Sequence, residues 1–178
     1  MINKTVCFSG HRPEKLPGKG DSSEKETRFI KELINRKIEN CINEGYTRFL
    51  SGVARGIDLW AAECVLEHRC KNARIELICV KPIENQGSNF PLADRFIYDK
   101  VIALADDVIC TSQTYKKNCY MIRNKYMIDN SGMLIAFVKN YRSGTGQTIN
   151  YARKKGIRTD ITDLSDIVYD MEYTQLTL

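Results

Sequence analysis

The 178-residue chain fits one domain and is long enough to bury a sizeable core. No apolar run approaches the roughly 20 residues that span a bilayer, and Met1-Ile-Asn-Lys4 enters a strand without a secretory apolar segment, so no membrane association is expected. A net charge of +5, spread among acids, permits anionic ligands without indicating nucleic acid; seven cysteines with no C-x-x-C pair read as reduced thiols of a cytoplasmic protein.

Thr5-Val-Cys-Phe-Ser9 is a short, nearly continuous apolar run suited to a central strand covered on both faces. It breaks at Gly10-His-Arg-Pro13 and passes through a Pro-, Gly- and Lys-rich loop to Gly20. Ser23-x-x-Glu26 reads as a capping box, after which Phe29, Ile30, Leu33, Ile34, Ile38, Cys41 and Ile42 recur with helical period up to Gly45. Tyr46 to Ser51 is the second strand, and Leu59 to His68 the second helix. Cys64, His68 and Cys70 come nearest to a metal cluster, but no fourth ligand is evident and no metal is expected. Ile75–Val80 is the third strand, followed by a polar loop, Glu84 to Asn89. Leu92, Phe96, Ile97, Val101 and Leu104 mark an amphipathic helix. Val108–Cys110 is a fourth strand, and Asn118 caps a helix carrying Met121, Arg123, Asn124, Met127 and Ile128. Met133–Val138 is the clearest strand. Ile149 and Ala152 support a helix ending at Gly156, and Ile157 to Ile161 forms a last strand. The tail from Asp163 has no assigned form. Strands alternating with helices, with no linker or repeat, predict a single-domain α/β fold: a Rossmann-like, doubly wound, mainly parallel sheet with helices on both faces.

Three strands end in glycine-containing turns, Ser9-Gly10, Ser51-Gly52 and Ser143-Gly144, each followed by polar or basic residues. In open α/β sheets ligands bind outside the carboxyl ends of the strands, where strand order reverses. Convergence of the three turns would build a basin of amides, hydroxyls and cations suited to phosphate and ribose; the alternative is three unrelated turns. The candidate ligand-binding residues are Ser9, Gly10, His11 and Arg12 from the first turn. The second contributes Ser51, Gly52, Ala54, Arg55, Gly56 and Asp58. Arg123, Asn124 and Met127 come from the fourth helix, with Ser143, Gly144, Thr145, Gly146, Gln147 and Thr148 from the last turn. A hydrogen bond to a charged group contributes about 1.5–3 kcal/mol, against about 0.3–1 kcal/mol for an exposed helix N-terminus, so Arg12, Arg55 and Arg123 are expected to decide affinity. Asp58 reads equally as a helix cap or a ribose-hydroxyl acceptor. Trp60 either stacks on a base or packs against the sheet. No catalytic residue is assigned.

Gly52-x-x-x-Gly56 is not the G-x-G-x-x-G dinucleotide fingerprint. Ser51-Gly-Val-Ala-Arg-Gly-Ile-Asp58 instead resembles the S-G-x-A-x-G-I-D stretch of the DNA-processing protein DprA. Arg123-Asn-Lys-Tyr-Met127 and Ser143-Gly-Thr-Gly146 fall where DprA and the lonely-guy (LOG) phosphoribohydrolases carry their arginine and glycine-rich motifs. With Gly10-His-Arg-Pro13, the ordered set is similar to the bacterial YpsA family of the SLOG superfamily, up to about Ile161. The resemblance implies a Rossmann-like domain binding a nucleotide or a nucleotide-derived signal such as ADP-ribose, NAD or a cyclic nucleotide, as sensor or sequestering protein, with no required cofactor. LOG enzymes continue their glycine motif as G-G-x-G-T-x-x-E. Here the run is Gly144-Thr-Gly-Gln-Thr-Ile-Asn150, which sets an amide where the catalytic glutamate belongs. An amide neither stabilises an oxocarbenium-like centre nor activates water well. A nucleotide N-glycosidase using Asp58 or Asp129 is one alternative function; DprA-like binding of single-stranded DNA is another, although no basic groove with stacking aromatics is legible. The oligomeric state stays open, a homo-oligomer included.

Overall fold

Successive residues of one strand point to opposite sides of a sheet, so a strand apolar at every position must be covered twice. Met133–Val138 (β5) is such a strand and is buried throughout. Met133, Ile135 and Phe137 enter one core cluster, Leu134, Ala136 and Val138 the other. Thr5–Gly10 (β1) divides in the same way, Val6 and Phe8 to the first cluster and Cys7 to the second. In the computed structural model, which describes residues 2–165 and Ile167, these two strands pair in parallel at the centre of the sheet.

The other strands are Arg48–Ser51 (β2), Glu76–Lys81 (β3), Asp107–Cys110 (β4) and Arg158–Asp163 (β6). Their order is β4-β3-β2-β1-β5-β6, parallel throughout. Three strands, β2, β3 and β4, step outward from β1 in sequence. The chain then returns to lay β5 on the other side of β1, and strand order reverses there. Lys25–Asn43 (α1), Ile57–Lys71 (α2) and Leu92–Leu104 (α3) pack on one another along the first face; Cys119–Asp129 (α4) pairs with Gly144–Lys155 (α5) on the second. This is the division that right-handed crossovers impose. Phe8 and Phe49 stack at 6.1 Å beneath α1, whose Ile30, Ile34 and Ile38 are buried at helical spacing. Among the described residues no helix is long and apolar enough to cross a membrane.

The α/β reading holds, with local corrections. The Ser23–Glu26 capping box does not form. Glu24 is the N-cap of α1, and Ser23 Oγ is spent on Asp21 Oδ1 at 2.7 Å, in a turn that precedes the helix. Asn118 occupies the N-cap of α4 without a side-chain bond. β2 starts at Arg48 because Tyr46, whose N–H closes the end of α1 on Cys41 O, belongs to the cap. Gly45 ends α1 with φ +81, as a C-terminal glycine should. Of the tail from Asp163, everything beyond Ser165 except Ile167 lies outside the described residues.

Candidate functional site

The carboxyl ends of β1 and β2 meet the start of α2 and the flank of α4 in a buried polar cluster. Ser51 Oγ folds the β2–α2 turn onto itself, donating to Asp58 O at 2.6 Å and accepting from Val53 N at 3.1 Å. Val53 sits at φ +43, which is strained for a β-branched residue by about 1–3 kcal/mol; complete burial and the Ser51 bond hold it there. Gly56, at φ +87, caps α2, and a Cβ on it would strike His11 O. Asp58 lies in the first turn of α2 but does not cap it. Its carboxylate pairs with Arg123 Nη1 at 3.1 Å and accepts from the Gly10 N–H. The two side chains are 7% and 4% exposed. Burial pushes the Asp58 carboxyl above its ordinary range, while the Arg123 charge and the Gly10 N–H pull it back. A Cβ on Gly52 would overlap Arg123 Nη1, so only glycine lets this guanidinium lie against the turn.

His11 is a pin between strands. Its ring Nε2 accepts from Lys139 N at 2.9 Å, joining the end of β1 to the end of β5, and its carbonyl accepts from Ile57 N. Nε2 must be unprotonated for that bond. Burial, then the charges of Lys15 and Lys139, lower the His11 pKa from its ordinary value.

Beside this cluster, on the outer side of α4, the geometry opens. Ser143 caps α5 by accepting from Gly146 N at 3.2 Å, and a Cβ on Gly146 would overlap Tyr141 O. Asn124 Nδ2 donates to Thr148 Oγ1 at 2.9 Å, and Thr148 Oγ1 donates to Gly144 O at 2.9 Å, so the first turn of α5 is strapped to α4. Gly144 itself has open space where a side chain would stand. It borders a cleft of about 480 Å³ between α4 and α5, along with Asn124, Gln147, Thr148 and Asn150. Lys117, Lys125 and Lys154 line the same cleft, and among the described residues none of them has an acidic partner within ion-pair distance. Three cations and a helix N-terminus give the cleft a positive potential that suits an anion.

The three glycine turns therefore come to one edge of the sheet, but their residues divide into two groups. Gly10, Gly52, Gly56, Asp58, Arg123 and the buried Ser9 and Ser51 form the enclosed cluster. Asn124, Gly144, Gln147 and Thr148 face the cleft, with Ser143, Thr145 and Gly146 shaping the helix start beneath it. Ala54 serves the turn, its carbonyl accepting from Leu59 N. Arg12 is exposed on the loop after β1. Arg55 is not a free cation: Glu14 and Asp94 each hold it at 2.5 Å. Met127 is 1% exposed and belongs to the core under α4 and α5, because the helix turns its i+4 position from Arg123 toward the sheet. Trp60 packs in the core, with Lys31 Nζ 5.1 Å from its ring centre, and Asp58 is not the helix cap. The lysines were missed by the sequence reading, although Gln147, Asn150, Tyr151 and Lys154 fall on one face of α5 at helical spacing.

A single parallel sheet with glycine turns gathered where strand order reverses defines a Rossmann-like α/β protein. The chain belongs to the YspA SLOG family, whose YpsA model matches residues 6–172. It is 24% identical over 180 residues to a UPF0398 protein of Bacillus cereus strain B4264, covering 96% of this chain and 97% of the relative. A UPF0398 protein of Halalkalibacterium halodurans is 25% identical over 155 residues, covering 85% and 82%. Two solved structures share the fold. DNA processing protein A (DprA) from Streptococcus pneumoniae superposes with a TM-score of 0.59 at 18% identity, over 96% of this chain and 56% of that one. DprA from Helicobacter pylori, described in terms of its single-stranded DNA binding mode, superposes with a TM-score of 0.63 at 15% identity, over 96% and 74%. The chain thus spans little more than half of the S. pneumoniae protein.

Proposed function

We propose that this protein binds a nucleotide or nucleotide-derived signal, with the phosphate in the cleft between α4 and α5, and acts as a sensor or sequestering protein needing no cofactor. The observation that supports this reading most is one cleft that holds the open N-terminus of α5 at Gly144 together with Lys117, Lys125 and, from the last turn of α5, Lys154, none of which has an acidic partner among the described residues. Each charge-assisted hydrogen bond contributes about 1.5–3 kcal/mol, so two of them already bring a phosphate into a measurable range. Binding without cleavage is favoured by Asn150, which lines the cleft as an amide and supplies no carboxylate for glycosidic chemistry.

Calorimetric titration with AMP, ADP-ribose, NAD and cyclic nucleotides tests the reading. At least one binds, and chromatography of the mixture finds no free base. Silence toward the whole panel from folded protein rejects it. Single-stranded DNA carries the same phosphates, and DprA from H. pylori binds it. A deoxythymidine oligomer belongs in the same titration, where binding that outcompetes the nucleotides and falls steeply with salt would replace the small-molecule reading.

A further inference from the structure

A second crevice, of about 570 Å³, opens at the carboxyl ends of β3 and β4, and Tyr120 lines both it and the lysine cleft. The two compartments differ in chemistry. The first is bordered by Lys117, Lys125 and Lys154; the second has no lysine or arginine in its lining among the described residues and is bordered by amides, hydroxyls, the rings of Phe90, Tyr115 and Tyr120, and one carboxylate, Glu84, which is already paired with Lys81 at 2.9 Å. Its main wall is built in advance. The segment from Ile83 to Phe90 is a series of tight turns, with Gln86 N bonded to Ile83 O, Ser88 N to Asn85 O and Phe90 N to Gly87 O. It is braced on α3, where Phe90 packs edge-on against Tyr98 at 5.4 Å and Arg95 Nη1 donates to Gly87 O at 3.1 Å.

Gln86 joins this wall to the buried cluster. Its Nε2 donates to Gly52 O at 3.0 Å, and since only the amino end of the amide can serve a carbonyl, its orientation is settled. Its Oε1 is left buried without a donor, on a side chain 93% removed from solvent (7% exposed) at the border of the crevice. An orphaned acceptor of this kind costs about 1–3 kcal/mol and is relieved by any N–H or O–H that reaches it.

Resting on the nucleotide reading above, we infer that the crevice at the ends of β3 and β4 is the subsite for the base of the ligand, continuous across Tyr120 with the lysine cleft that takes its phosphate. Tyr115, 68% exposed, and Tyr120, 37% exposed, offer stacking surfaces, and the ring-bearing end of the ligand donates to the wall that Gln86 anchors.

Ribose 5-phosphate and AMP differ by the adenine alone, and calorimetry on the full chain with both isolates this subsite. AMP binds at least about tenfold more tightly than ribose 5-phosphate. Tyr115→Ala, a surface change, removes most of that margin and leaves ribose 5-phosphate unaffected, whereas Lys154→Glu weakens both equally. In amide-detected NMR the Gln86 side-chain signals move with AMP and stay with ribose 5-phosphate. An AMP margin that survives Tyr115→Ala, or a Tyr115→Ala protein that loses affinity for both probes alike, overturns the base subsite while the phosphate cleft stands. If neither probe binds the wild-type chain, the nucleotide reading fails and takes this inference with it.

Discussion

Arg123 and Asn124 are neighbours on α4, yet they belong to opposite kinds of site. Arg123 turns inward to an enclosed carboxylate, under a glycine that leaves room for nothing else; Asn124 turns outward to a cleft whose lysines have no acidic partner among the described residues. A cation locked to a carboxylate in low dielectric contributes to the shape of the protein, because its charge is already answered. A cation left without a carboxylate in an open cleft keeps its charge for a visitor. Partnering therefore separates scaffold from recognition here better than residue type does, and Arg55, held by Glu14 and Asp94, falls on the scaffold side.

The sharpest way to break this division is Gly52→Ala. The new methyl overlaps Arg123 Nη1 and forces the buried pair apart, and the loss of stability in urea unfolding is about 5 kcal/mol. Arg123→Met strands Asp58 in the interior and costs about 3–5 kcal/mol; adding Asp58→Leu recovers most of it, which a double-mutant cycle measures. If either single variant melts like the wild type, the cluster is not the scaffold. Lys154→Glu gives the opposite result, stability within about 0.5 kcal/mol of wild type and a nucleotide affinity lowered about tenfold by calorimetry.

The smallest effect concerns His11. The folded state holds its pKa below the ordinary 6.5, so above that pH both folded and unfolded chains leave the ring neutral and stability is untouched. As pH falls below 6.5 the unfolded chain takes up a proton that the folded chain refuses. Stability then declines by about 1.4 kcal/mol per unit of separation until the folded pKa is reached. His11→Gln keeps an acceptor for Lys139 N without titrating, and thermal melts between pH 7 and 5 show a flatter dependence for it than for wild type.

Much of the fold was legible because β1 and β5 carry uninterrupted apolar runs and the helices carry a clear period. Where the reading slipped, a tertiary partner was the reason. Ser23 is claimed by Asp21 and not by its helix, and Met127 is turned into the core by a phase that only the packed α4 reveals. The three glycine turns marked the right edge of the sheet. What they did not show was which charges were already spent, since the ion pair between Asp58 and Arg123 spans 65 residues of chain. Gln86 was invisible for the same reason: an unremarkable residue in a polar loop acquires meaning only when Gly52 O comes within 3.0 Å.

The enclosed pair also sets the rotation of α4. With Arg123 seated against Gly52, each later residue follows at about 100° around the axis, and Asn124 is delivered to Thr148 as a matter of geometry. Truncating Arg123 would let the helix roll and would blunt ligand affinity even if no ligand atom ever touches it. An alanine scan of this protein will thus score its most interior arginine as a binding residue, and only a structure of the variant would tell a lost contact from a lost alignment.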